Sequence, residues 1–133
     1  MKTVLMITAI ISAFGFSILL KNAPETEWII PEVANTLTNP LTGNVGATEE
    51  GKKLFMLNCA VCHGDKGKGD GIGGMALNPK PKNFTLEKIQ QQTDGAIFWK
   101  LSEGRPPMAS YKTLLSSVQR WELVNFIRTF KKQ

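Results

Sequence analysis

Cys59-Ala60-Val61-Cys62-His63 is the stretch on which the reading of this 133-residue chain turns. Two thiols with two residues between them and a histidine directly after is the spacing that attaches a c-type haem. Each thiol can add across one vinyl group of the porphyrin, giving two thioether bonds. The imidazole of His63 then comes beneath the ring to ligate the iron, and one axial position is left to fill. Other uses of the spacing fit poorly. A thioredoxin-like pair wants a strand before it and a βαβ context. Structural zinc takes four Cys, His or carboxylate ligands, and the whole chain has two Cys and one His. A disulfide across two intervening residues would close a strained ring.

Working outward from the motif, the pattern is helical on both sides. Thr48-Glu49-Glu50 reads as a helix start, a capping oxygen followed by two acids in the first turn. That helix should run to about Asn58 and deliver the chain into Cys59, with Leu54, Phe55 and Leu57 for apolar contact. Gly64 to Gly74 holds six glycines in eleven residues. It contains a formal G-x-G-x-x-G at Gly69, Gly71 and Gly74, but a dinucleotide site needs that pattern between a strand and a helix. It reads instead as a flexible loop wrapping one haem edge. Asn78-Pro79-Lys80-Pro81 fixes an extended run.

Thr85 to about Gln91 is a short helix, and Thr93 or Asp94 caps the next, through Ala96, Ile97, Phe98 and Leu101. Gly104 closes it and Pro106-Pro107 forbids continuation. Ser116 with Gln119 makes a capping box for the last helix. Val118, Trp121, Val124 and Ile127 form its apolar stripe, widened by Leu123, Phe126 and Phe130. No strand pattern appears, so the fold class is all-α: short helices around one covalent haem.

The chain is long enough for one domain, with 42% apolar and 20% charged residues as a globular protein has. Haem attachment of this kind takes place outside the cytoplasm, and the N-terminus agrees. After Met1-Lys2, Thr3 to Leu20 is 18 residues without a charge, longer than a signal-peptide core and within the range of a spanning helix. Cleavage sites are poor: Ile11-Ser12-Ala13 lies inside the apolar run, and Lys21-Asn22-Ala23 is followed by Pro24. The division is therefore residues 1–21 as an apolar helix, a signal-anchor in preference to a cleaved signal, 22–47 as an irregular arm and 48–133 as the haem domain. The domain should face the periplasmic side of the cytoplasmic membrane, anchored by residues 3–20. In the arm, Pro24, Pro31, Pro40 and many Asn, Thr and Gly argue against regular structure. Its Trp28-Ile29-Ile30 patch could touch headgroups, pack on a partner or fold back on the domain. Charge is uneven. Residues 22–50 hold five acids and no Lys or Arg, whereas residues 51–133 hold 14 basic and 6 acidic side chains, a net of +8. A positive face of that kind steers docking onto an acidic partner; nucleic acid does not fit scattered cations in an exported protein.

The sixth ligand is narrowed by counting. His63 is the only histidine and no third cysteine exists, so Met1, Met6, Met56, Met75, Met108 or an open site remain. Met1 and Met6 lie in the apolar leader, Met56 just before the thiols, and Met75 after a loop of eleven residues. Met108 follows two prolines 45 residues beyond His63, where a loop can swing a sulfur over the opposite haem face.

From about Glu49 to Phe130 the sequence resembles the class I, mono-haem cytochromes c, of the membrane-anchored bacterial type. The resemblance rests on CAVCHG at Cys59–Gly64, RPPM at Arg105–Met108 and ELVNFIRTF at Glu122–Phe130. Gly51 and Phe55, with Leu123 and Phe126, match the family's pairing of first and last helices. The resemblance implies a cytochrome c-like fold and haem c, one per chain. It also implies a proline carbonyl, of Pro79 or Pro81, accepting from the proximal imidazole. Trp99 and Arg105 are candidate propionate partners. The function expected is electron transfer with His63/Met108 ligation, by a tethered carrier or a haem subunit of a respiratory complex. Its partners would be redox proteins, a quinol-oxidising complex or a terminal oxidase. The alternative is a haem enzyme or gas sensor with an open or weakly held sixth position.

Overall fold

The computed structural model describes residues 27–131. Over that span α1 (Glu32–Asn35), α2 (Val45–Asn58), α3 (Ala60–His63), α4 (Glu87–Gln90), α5 (Asp94–Glu103) and α6 (Ser117–Arg128) follow in order, with a 3-10 turn at Ile72–Gly74. Among the described residues there is no strand, only an antiparallel bridge between Arg105 and Met108, so the fold is all-α as expected. No helix among the described residues is long and apolar enough to cross a membrane, and the expected anchor at residues 3–20 lies outside them.

The helix before the thiols begins earlier than Thr48. Asn44 is its N-cap, with Oδ1 accepting from the Ala47 amide at 3.0 Å. Such a cap is worth about 1 kcal/mol, enough to offset the roughly 1 kcal/mol that Gly46 costs inside a helix. Thr48 lies within the first turn, its hydroxyl donating to the Asn44 carbonyl at 3.0 Å. Further on, Thr93 caps α5, Oγ1 accepting from the Ala96 amide at 3.0 Å, and the Ser116–Gln119 capping box of α6 is present. Val118 leaves the apolar stripe: it is exposed, in the first turn of α6.

The frame is the crossing of α2 and α6, the most extensive helix pair in the described span. Gly51 is buried where they meet. A Cβ there would lie 1.9 Å from the Glu122 carbonyl oxygen and 3.1 Å from the Phe126 Cβ. The two backbones approach this closely because position 51 has no side chain. One turn on, Phe55 is fully buried, its ring 5.2 Å from Phe126 and 5.3 Å from Phe130. Leu123, Val124 and Ile127 complete the seam. Each such side chain contributes about 1.5–3 kcal/mol when removed from water.

The arm departs most from the sequence expectation. It was read as irregular, yet it contains α1 and is fastened to the helices. Ala34 is buried against α5, where a Cβ on Gly95 would meet the Ala34 carbonyl oxygen at 2.0 Å. Asn39 is 5% exposed, and its Nδ2 donates to Asp94 Oδ2 at 2.9 Å and Asn125 Oδ1 at 2.8 Å. Asn125 in turn donates to the Leu41 carbonyl at 2.6 Å, and Arg128 Nε donates to Asp94 Oδ1 at 2.7 Å. Prolines and asparagines forbid a long helix here without forbidding burial, because asparagine amides satisfy the backbone that the irregular path leaves open. Of Trp28-Ile29-Ile30, Trp28 and Ile30 fold back half-buried, while Ile29 points outward.

Two substitutions in α2 test this frame. Gly51→Ala should cost about 1–3 kcal/mol through overpacking, read as a lower denaturant midpoint at unchanged m-value. Gly46→Ala, where the added Cβ meets nothing closer than 3.4 Å, should be neutral or gain up to about 1 kcal/mol.

Candidate haem site

The C-x-x-C-H turn is built by stopping one helix and starting another. Cys59 closes α2, its amide donating to the Phe55 carbonyl at 2.8 Å, and its own carbonyl accepts from the His63 amide at 2.8 Å. The glycine loop does not lie loose beside this turn; it braces it. The Gly69 amide donates to the His63 carbonyl at 2.8 Å and the Gly71 amide to the Cys62 carbonyl at 3.1 Å. Burial, with the Cys62 thiol alongside, pushes the Cys59 thiol up to about 12. That is the reverse of the depressed thiolate of a redox dithiol. Among the described residues no three His, Cys, Asp or Glu side chains gather to hold a bare metal ion.

His63 is oriented from two sides. Its Nδ1 lies 3.0 Å from the Lys82 carbonyl oxygen, and its ring stacks on Phe84 at 4.4 Å and 16°. Neither Pro79 nor Pro81 takes the part that the resemblance implied for one of them. The Phe84 amide donates to the Gly67 carbonyl at 2.7 Å, and this tie sets the segment so that the carbonyl one residue past Pro81 reaches the imidazole. Burial lowers the His63 pKa, favouring neutral imidazole. With Nδ1–H donating to Lys82, the lone pair sits on Nε2, as an iron ligand requires.

Met108 stands in a loop tied back to α5. The Met108 amide donates to the Arg105 carbonyl at 2.8 Å, that of Tyr111 to Leu101 at 3.0 Å and that of Lys112 to Ser102 at 3.2 Å. Tyr111 Oη donates to the Asn58 carbonyl at 2.9 Å, joining this loop to the end of α2. Met75 is 64% exposed and Met56 43% exposed. Neither lines the cavity that His63 and Met108 share.

That cavity has two lobes, of about 600 and 310 Å³, joined through Trp28, His63, Phe84, Leu101, Arg105 and Met108. The smaller lobe carries Cys59, Cys62, Pro81 and Tyr111, and the larger carries Lys88, Gln92 and Lys100. The thiols therefore lie in the smaller lobe alone, while Lys82 and Arg105 line both lobes and the larger one adds Lys88 and Lys100 beside Glu27. A haem has vinyl groups at one edge and propionates at the opposite one, so thiols confined to one lobe and cations reaching into the other fit it. Arg105 lines both lobes; Trp99 lines neither, packing edge-on behind Trp28 at 6.2 Å and 67°. Trp28, Lys82, Lys100 and Tyr111 were not foreseen as site residues. For Tyr111 and Lys82 the sequence offers only proximity to Met108 and Pro81, and for Trp28 only an aromatic in a polar arm.

Comparison with known proteins agrees with this geometry. A family model described as Cytochrome c matches residues 48–131. The solved structure of the KustC0563 c-type cytochrome is 30% identical, covers 62% of this chain and 98% of its own, and superposes with a TM-score of 0.53. A chain of the Kuenenia stuttgartiensis reducing HAO-like protein complex Kustc0457/Kustc0458 is 26% identical with a TM-score of 0.64; the match covers 80% of this chain and about half, 53%, of that one. Cytochrome CL from the marine methylotrophic bacterium Methylophaga aminisulfidivorans MPT, at 20% identity and a TM-score of 0.57, covering 75% of this chain and 68% of its own, shares the fold. No curated protein matches the sequence. The chain belongs to the cytochrome c family, and its cofactor is a covalently bound haem c.

Proposed function

We propose that this chain is a class I, mono-haem electron carrier in which Cys59 and Cys62 hold the haem and His63 and Met108 are its axial ligands. One observation carries the reading: both thiols, the sole histidine and Met108 line one connected cavity, while Met56 and Met75 stand outside it. The bound haem supplies a one-electron iron couple, and a methionine sulfur opposite histidine raises its potential. The protein's part is to keep the ligands still. Lys82 and Phe84 hold the His63 ring, and backbone bonds to Leu101 and Ser102 hold the Met108 loop. Ligands fixed in advance move little when charge changes, which suits transfer rather than substrate chemistry.

The wider setting belongs to the same proposal. The carrier is exported to the periplasmic side, anchored by residues 3–20, and hands electrons between redox proteins such as a quinol-oxidising complex and a terminal oxidase. It does so as a tethered shuttle or a fixed haem subunit, and is not itself an enzyme. The likeness to a chain of a HAO-like complex supports a redox-protein partner. Exposed Val61, Ile72 and Met75, on the attachment turn and on the 3-10 turn that packs against it, would offer apolar surface for docking. The neighbouring loop supplies Lys66 and Lys68, and Lys80 donates to the Met75 carbonyl.

Spectroscopy of the purified full chain tests the assignment. The haem should survive acid-acetone extraction. Met108→Ala should abolish the sulfur-to-iron charge-transfer band, lower the potential and open the iron to carbon monoxide or azide, with the protein still red and folded. Met75→Ala should keep the band. The reverse pattern would move the ligand to Met75; indifference to both would bring forward the enzyme or sensor with an open sixth position. If the domain's positive charge steers docking, electron transfer to the partner should slow as salt rises, since exposed charges are screened beyond roughly 8 Å at physiological ionic strength.

A further inference from the structure

The family match begins at residue 48, yet the cavity is walled on one side by residues that precede it. Trp28 lines both lobes, and Glu27 and Ile30 line the larger. The Trp28 indole is the surface on which the cationic end is assembled. The Arg105 guanidinium carbon lies 4.9 Å from its ring centroid, the Lys100 ammonium lies 5.8 Å from it, and Trp99 backs it edge-on. The negative face of an indole attracts a cation held over it, and the ring fixes that cation's height and lateral position. Lys100 is further held by donating to Gln92 Oε1 at 2.6 Å.

Two cations brought together on one ring repel each other. Burial, then Arg105, pull the Lys100 pKa down; Glu27 opposes this, while Lys82 and Lys88 add to it. Glu27 places one negative charge in the same lobe, and the carboxylates at the propionate edge of a haem would add charge of the same sign beside the cations. The arm that brings Trp28 here is bolted at its far end by the Asn39–Asp94–Asn125 bonds and by α1 against Gly95.

We propose that residues 27–44 form a strap closing the propionate end of the haem cavity, with Trp28 as a positioning residue that aims Arg105 and Lys100 at the propionates and keeps water from that edge. The proposal rests on the cavity being the haem site. It adds a segment outside the family match and a role that is neither attachment nor iron ligation. Cations held near the propionates and a drier edge both act on the reduction potential, so Trp28 tunes the electron's energy without touching the iron.

The test is a potentiometric double-mutant cycle on the full-length haem protein with Trp28→Ala, Arg105→Gln and the two combined. Trp28→Ala should lower the midpoint potential while leaving the sulfur-to-iron band and acid-acetone-resistant haem unchanged. Trp28→Phe, which keeps an aromatic face, should restore most of the potential. Because Trp28 acts through Arg105, its effect should shrink in the Arg105→Gln background. Should Trp28→Ala prove too unstable to purify, Asn39→Ala loosens the strap from its far end and should shift the potential the same way. An unchanged potential in Trp28→Ala, or strict additivity with Arg105→Gln, would overturn the strap's role and leave the haem assignment intact. Loss of covalent haem from the wild type would remove both.

Discussion

Everything in this molecule hangs on the close approach of α2 and α6 at Gly51. With a hydrogen in place of a side chain, the Glu122 carbonyl can sit where a Cβ would be. That contact sets the register of the Phe55, Phe126 and Phe130 cluster. The cluster then extends to the site through Phe84, 6.1 Å from Phe55 and stacked on His63. The orientation of the imidazole is thus continuous with the packing of the two longest helices. Phe55 and Ile127, which pack in this core, also line the cavity, so the crossing supplies part of its wall.

The two stretches of chain that carry the proposed axial ligands are stabilised by different physics. The His63 side is fixed by backbone bonds from the glycine loop, where amides of Gly69 and Gly71 reach carbonyls of the attachment turn. The Met108 side is fixed by the return of the chain onto α5, with Tyr111 linking it to the carbonyl of Asn58 just before Cys59. Tyr111 spans the cavity from the methionine loop to the attachment turn, so movement of one is resisted by the other. Neither arrangement depends on exposed ion pairs, which contribute about 0–1 kcal/mol each and fade in salt. The ligand geometry should therefore be insensitive to ionic strength even where docking is not.

Much of this was legible in the sequence, and the reasons are local. The cap at Ser116 and the stop at Gly104 are short-range signals, legible because tertiary contacts do not compete with them; of the two cap candidates for α5, Thr93 and Asp94, Thr93 is the cap. The stripe of α6 is periodic over three turns and so is its burial, save for Val118 in the first turn. What escaped was long-range. The buried bonds of Asn39 to Asp94 and Asn125 span 55 and 86 residues, and a lone asparagine in a polar arm looks like any other. Asn125 carried a hint, standing between Val124 and Phe126 in an apolar run, where a polar side chain needs a buried partner. The start of α2 is hidden because Gly43 and Gly46 are poor helix formers, and the Asn44 between them acts as the cap. Lys82 supplies its backbone carbonyl to His63, a role that side-chain identity cannot signal.

The arm shows how an irregular segment can be part of a site. Its composition, rich in Pro, Asn and Thr, prevents it from competing with α2 and α6 for the core. The same composition lets it follow the surface of the helices in a path no regular element could take. Its polar backbone is satisfied at fixed points: the Leu41 amide bonds to Asn39 Oδ1 at 2.9 Å, and the Leu41 carbonyl accepts from Asn125. Between these points and residue 27 the chain has one side chain large enough to wall a cavity and also hold cations, and it is Trp28. Because Arg128 ties Asp94 to the carbonyls of Gln90 and Gln92 at 2.9 and 2.5 Å, the clasp also fixes the turn from α4 into α5, from which Lys100 projects. The strap, the cations and the closing helix are therefore one mechanical unit, joined by buried polar groups that lose about 1–3 kcal/mol for each partner removed.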